Sequence, residues 1–349
     1  MEENKKMEKR QVEFDIAKGI GIILVVWAHA EGPFSKYING FHMPFFFFIS
    51  GMLYLNKGRS IKDYTLQKCK TLLIPFWWWN LIFYPIFFTL YYWEKWSLLT
   101  AIKGIGEIVL TLNKVPFLGA TWFLPALFWV SVFVHIFMTL FDKKKYTDII
   151  LLIVGIALAV VGFVVTLPYK ISRNLICTLF YISGYLYRKY VAMYIKYTAN
   201  SWVAIICIIV YAFCVRINAF NMGSNFYEHR ILFVFGAFLA IYFWLWFSQS
   251  LAQFPIGTNK FIVKHIMFLG ANSIDLVIWQ FLAFRITIIF QIIIMGAGIS
   301  SLTAFPVYDA SGIWWFGYLL TGIYGSLLWK YILEHNPLSG RMKKICIIR

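Results

Sequence analysis

Stretches of apolar residues about as long as the 20 that a helix needs to cross a bilayer recur along this chain from Phe14 to Leu333, with only short polar connections between them. A 349-residue chain that is 61% apolar, 20% aromatic and 13% charged has more apolar surface than one water-soluble core can hide. The expectation is an all-α, polytopic integral membrane protein. Its transmembrane helices are predicted over residues 14–31, 41–55, 72–92, 119–141, 149–168, 172–189, 201–220, 229–249, 264–295 and 312–333, about ten in all. Residues 98–112, with Lys103 and Glu107 four apart, read as an interfacial helix. The domain reading is then a tail over 1–13, a transmembrane domain over 14–333 and a basic tail over 334–349.

Ten crossings return the C-terminus to the side of the N-terminus, and the basic residues say which side that is. The two tails and the loops on their side hold 23 of the 32 Lys and Arg residues, the opposite loops hold eight, and Arg285 lies inside a helix. Positive loops stay inside, so both termini are expected in the cytoplasm. The net charge of +17 is then a topology signal plus attraction to anionic lipid, and it requires no nucleic acid. Cysteines 69, 177, 207, 214 and 346 show no pairing or metal-ligand spacing and read as inert thiols. The start of the chain does not read as a cleaved signal peptide, and no phosphate loop or zinc-ligand cluster is present in the sequence.

Lys18 and His29 stand out because both lie in the first apolar segment, FDIAKGIGIILVVWAHA. A charge at the centre of a membrane helix costs roughly 2.5–3.5 kcal/mol on insertion scales, so such a residue marks a candidate site. Eleven residues are close to three helical turns, which puts both side chains on one face about 16 Å apart along the axis. Gly19 and Gly21 allow another backbone to come close. His42 opens the next segment, FHMPFFFFISGMLY, after a connection containing Gly32, Pro33 and Gly40. An imidazole with an ordinary pKa near 6.5 suits the removal of a proton from a hydroxyl at neutral pH. Two histidines without a cysteine or carboxylate cluster favour acid–base work, and no metal is expected.

Lysine, ten residues and histidine in the first helix, followed by FHMPFFFFISG, resemble the family-3 membrane acyltransferases that O-acylate bacterial surface sugars. TWFLPALFW at Thr121 to Trp129 resembles a middle helix of that family, and GANSIDLVIWQFLAFR at Gly270 to Arg285 resembles a late helix of its fucose 4-O-acetylase-like branch. The chain departs from the pattern at Lys18, where the family usually has arginine, and at Gln280, where many relatives carry histidine; Gln280 is therefore set behind His29 as a candidate.

The resemblance implies a multi-pass protein of the bacterial cytoplasmic (inner) membrane that moves an acyl group, most simply acetyl, from cytoplasmic acyl-CoA to a hydroxyl of a cell-surface or lipid-linked glycan. Acetyl-CoA would be the donor substrate. On that reading His29 and His42 are the candidate catalytic residues, with His29 as general base, and Lys18, Lys68, Lys70 and Arg285 hold the acyl-CoA. Trp122 and Glu228 face the acceptor. The rival expectation is a transporter or flippase for a glycan or lipid-linked precursor, which would use the same buried charges as a path without making a bond.

Overall fold

A computed structural model describes residues 2–55, 58–92, 97–111, 114–141, 146–168, 170–192, 200–253, 259–337 and 339–340. The expected C-terminal tail beyond residue 340, with Cys346, lies outside the described residues. Helices α1 (Glu2–His29), α2 (Ser35–Asn39), α3 (His42–Met52), α4 (Ile61–Lys68), α5 (Ile74–Tyr92), α6 (Leu98–Val109), α7 (Phe123–Leu140) and α8 (Thr147–Val164) follow in order. They continue as α9 (Ile171–Leu186), α10 (Ser201–Arg216), α11 (Arg230–Gln253), α12 (Asn259–Ala271), α13 (Ser273–Met295), α14 (Trp314–Leu320) and α15 (Ser326–His335). Strands β1 (Phe220–Asn221) and β2 (Phe226–Tyr227) pair antiparallel as a small hairpin between α10 and α11.

Single π turns join α4 to α5 at Cys69–Leu73 and α14 to α15 at Thr321–Gly325, so each pair is one continuous rod. Side-chain caps hold several starts: Ser60 Oγ accepts the Asp63 N–H at 3.1 Å, and Asn200 Oδ1 accepts the Trp202 N–H at 2.9 Å. Pro44 and Pro125 lie in the first turns of α3 and α7, where no intrahelical N–H is lost.

Among the described residues, five helical stretches are long and apolar enough to cross a membrane: Ile61–Leu90, Pro116–Leu140, Thr147–Val164, Arg230–Gln253 and Ser273–Met295. The shorter His42–Met52, Ser201–Arg216 and Phe261–Ala271 are also apolar. The protein is an all-α membrane protein, and its faces show why. On α8 the outward stripe is Ile149, Ile153, Ile156, Val160 and Val164, all exposed, while Gly155, Ala159 and Gly162 are buried. Bulky apolar side chains outside and small ones inside suit lipid as the surrounding solvent, because close backbone approach then supplies the packing. Helix α6 likewise exposes Leu98, Leu99, Ile102, Ile105 and Val109.

The predicted helix 264–295 is split in two. Asn272 Nδ2 donates to the Phe268 carbonyl at 2.8 Å while its own N–H reaches both Phe268 and Leu269, and at this competition with the backbone α12 ends, with Asn272 alone separating it from α13.

The chain forms two compact units: residues 1–28, 34–58 and 133–273 make the first, and 29–33, 59–132 and 274–349 the second. The first unit is assembled on glycine. A side chain at Gly51 would fall on the Tyr181 carbonyl and one at Gly184 on the Phe48 carbonyl, so α3 and α9 lie backbone to backbone. Helices α1 and α12 meet the same way, with Gly19 against the Ile266 carbonyl and Gly270 against Asp15 and Gly19. The sequence expectation of close approach at Gly19 is borne out.

The second unit is held more by side chains. Trp279 of α13 packs edge-on against Trp79 of α5 at 4.6 Å and stacks on Trp329 of α15 at 6.1 Å. Asp275 of α13 pairs with Lys330 of α15 at 3.2 Å.

Candidate active site

Helix α1 ends on His29, and Glu31 and Phe34 then adopt left-handed backbone conformations that turn the chain. The imidazole is only partly buried. Its Nδ1 lies 2.9 Å from Oε1 of Gln280, a fully buried side chain in the middle of α13. The amide Nε2 points back along α13 to the Val277 carbonyl at 3.4 Å, which turns Oε1 toward the histidine. An amide oxygen only accepts, so Nδ1 carries the hydrogen and Nε2 carries the lone pair. Phe281, 2% exposed, packs against the imidazole with ring centroids 4.8 Å apart. The arrangement is a histidine oriented by a second side chain and lined by an aromatic wall, the geometry of a positioned general base.

One turn beyond Phe281, Arg285 is 8% exposed and its guanidinium lies over the Phe117 ring at 5.3 Å. Its Nη1 donates to the carbonyls of Leu302 at 2.9 Å and Ala304 at 2.5 Å. Phe117 belongs to the short 3-10 turn Pro116–Trp122 that precedes α7, and Trp122 closes that turn half-buried. Asn80 of α5, fully buried, fixes the turn from below: Oδ1 accepts the Val115 N–H at 2.8 Å and Nδ2 donates to Thr121 Oγ1 at 3.2 Å. The second unit therefore brings together His29, Gln280, Arg285 and the turn that carries Trp122.

The other sequence-predicted residues stand elsewhere. Lys18 is partly buried on α1 in the first unit, one turn from Asp15. Lys68 ends α4 with its ammonium 5.3 Å from the Tyr64 ring centre, and Lys70 is exposed in the π turn that follows. His42, 5% exposed at the start of α3, has Nδ1 at 3.0 Å from the Ile38 carbonyl in the first unit. Glu228 is exposed, and its carboxylate accepts the Ala219 N–H at 2.8 Å, closing the β1–β2 hairpin.

Three buried polar residues escaped the sequence reading. Asn80 and His135 were not singled out, and Gln280 was set aside. His135, 1% exposed, hydrogen-bonds the Tyr54 hydroxyl at 3.0 Å in the first unit. Each is an isolated polar residue in an apolar segment, which is the same signal that drew attention to Lys18 and His29.

Taken together, the fold is that of an all-α membrane protein, with a partly buried histidine hydrogen-bonded to a buried glutamine. The family model described as an acyltransferase domain, Acyl_transf_3, matches residues 11–287, and the chain belongs to that family. It is a membrane protein of the acyltransferase family. The nodulation protein NolL of Mesorhizobium japonicum is similar, 26% identical over 197 residues that make up 52% of this chain and 48% of NolL. The chain thus spans about half the length of this curated relative. No solved structure matches the chain.

Proposed function

We propose that the protein is an O-acetyltransferase that takes the acetyl group from cytoplasmic acetyl-CoA and delivers it to a hydroxyl of a cell-surface or lipid-linked glycan, with ten crossings and both termini in the cytoplasm of a bacterial inner membrane. The observation that carries the reading is the Nδ1-to-Gln280 hydrogen bond, which presents Nε2 of His29 as a base. The acceptor hydroxyl attacks the thioester carbonyl while its proton passes to Nε2. The tetrahedral intermediate then collapses, the C–S bond breaks, and the imidazolium returns the proton to the departing thiolate.

Lys18 is assigned to the donor. It shares α1 with His29 about 16 Å away along the axis, roughly half the 30 Å of hydrocarbon, a span that an extended pantetheine arm covers. Lys68 and Lys70, near one end of the α4–α5 rod, would draw the coenzyme phosphates as point charges. Among the two histidines of the sequence reading, His29 is the base, because His42 is buried against a backbone carbonyl. Trp122 is assigned to the acceptor side, on the turn that Asn80 fixes.

The test is transfer from labelled acetyl-CoA by detergent-purified protein. His29→Ala is expected to lower transfer by about 10²–10⁴-fold, the usual worth of a general base, with expression and thermal unfolding retained. Transfer at the wild-type rate removes His29 from the mechanism. Lys18→Ala is expected to raise KM for acetyl-CoA more than KM for the acceptor, and equal effects overturn the donor assignment.

A further inference from the structure

The segment between α13 and α14 is tied into the second unit at two places. At one, Arg285 Nη1 holds the carbonyls of Leu302 and Ala304, the residues at the end of the short turn Ile299–Thr303. At the other, Gln291, fully buried on α13, donates through Nε2 to the Asp309 carbonyl at 2.6 Å and accepts the Tyr318 hydroxyl at 2.5 Å. The Tyr318 oxygen in turn accepts the Tyr308 N–H at 3.1 Å. Between the two anchors stands Phe305.

Phe305 is 49% exposed, yet its inner edge is closely seated. Its ring centre lies 4.8 Å from that of Phe281, the residue that packs at 4.8 Å against His29. A side chain at Gly119 would meet Phe305 Cζ at 2.6 Å, so the turn that carries Trp122 makes room for this ring by having none there. The segment mixes polar and apolar residues: Ser300, Thr303, Asp309 and Ser311 lie along it with the exposed Ile299 and Ile313, and the Asp309 carboxylate accepts from the Ser311 N–H and hydroxyl, which holds its pKa below the usual carboxylate value. Tyr308, 44% exposed, adds a second aromatic ring. A lipid tail needs a continuous apolar face. An exposed aromatic ring on a segment that also carries hydroxyls and a carboxylate suits a pyranose, which has an apolar C–H face and a hydroxyl rim. The segment lies beyond residues 11–287, which match the family.

We propose that Phe305 is the stacking platform for the sugar acceptor, and that Arg285 and Gln291 are positioning residues that hold it beside the Phe281–His29 wall. The inference deepens the acetyltransferase reading by giving the acceptor a pyranose face and a place. A sugar on Phe305 brings its hydroxyls toward the imidazole past Phe281.

The experiment uses the full chain in lipid nanodiscs with a panel of p-nitrophenyl pyranosides as probes. Saturation-transfer NMR reads binding without chemistry, and release of CoA from acetyl-CoA reads transfer. The wild-type protein is expected to saturate at least one glycoside, Phe305→Ala to lose that signal and raise acceptor KM at least tenfold with KM for acetyl-CoA unchanged, and Phe305→Tyr to restore both. No saturation in the wild type, or undiminished saturation in Phe305→Ala, overturns the platform; in the latter case the ring is an interfacial anchor. Phe305-dependent saturation in a protein that releases no CoA overturns the acetyltransferase reading and leaves the platform standing. CoA release with an acceptor KM unmoved by Phe305→Ala overturns the platform alone.

Discussion

The pairing of α3 with α9 in the first unit and the pinning of the 115–122 turn in the second solve the same problem by different means. Both must hold backbone in place without help from the hydrophobic effect, since lipid is as apolar as the side chains it would displace. In the first, Gly51 and Gly184 remove side chains so that two helices meet at their carbonyls. In the second, Asn80, Gln280 and Gln291 add buried amides that reach out to a turn, a histidine and a loop. Glycine contact makes a rigid seam with nothing to offer a substrate. Buried amides spend their hydrogen bonds on irregular backbone and on one imidazole, which is what a site requires.

That contrast can be broken at either end. The largest effect is expected from Gly51→Leu or Gly184→Leu, where the new Cβ has backbone in its place and cannot be accommodated by a side-chain rotation. Loss of folded protein on size-exclusion chromatography in detergent is the predicted outcome, and a normally folded variant would show that the seam is not tight. Next is Gln280→Leu, which removes the acceptor for His29 Nδ1. A hydrogen bond to a charged or reacting group is worth about 1.5–3 kcal/mol, roughly 10- to 150-fold, so kcat for acetyl transfer should fall in that range while Tm stays close to that of the wild type.

Asn80→Leu should cost about 1–3 kcal/mol, because the Val115 N–H loses its buried acceptor. Hydrogen exchange over residues 114–122 should quicken, and unaltered exchange there would refute the pinning role. The smallest effect belongs to Lys330→Met. The pair with Asp275 is partly exposed and worth up to about 1 kcal/mol, so thermal unfolding should shift by a degree or two at low salt and not at all at high salt.

Much of the scaffold was legible from composition and spacing. The helix expected near 98–112 is present as α6, and the close approach expected at Gly19 is present at Ile266. Five long apolar stretches satisfy the length and composition of a membrane span among the described residues. The break at Asn272 was not legible, because an asparagine in a helix ends it only when its side chain takes the i−4 carbonyl, and the sequence does not say which way it turns.

For the site, His29 was found by the cost of its location, but its partner was not. Gln280 was discounted because relatives carry histidine there, whereas the amide oxygen supplies the hydrogen-bond acceptor that an imidazole nitrogen could also supply. Arg285 was singled out because a charge in mid-helix is costly, and the sequence left both an acyl-donor role and a structural one open. Its contacts depend on the loop 302–304 returning to α13, a non-local fact that no spacing encodes.

The reversed faces of α8 set how this protein tolerates change. Ile153, Ile156 and Val160 are exposed on the outward stripe of the helix, so exchanges among leucine, valine and phenylalanine there are expected to alter little that the fold depends on. Gly155 and Ala159 are buried, and a Cβ at Gly155 would stand 2.8 Å from Ile182 Cδ1, so a larger residue there must push the Ile182 side chain of α9 aside. Mutational freedom in this molecule therefore lies with its greasiest residues, and constraint with its smallest.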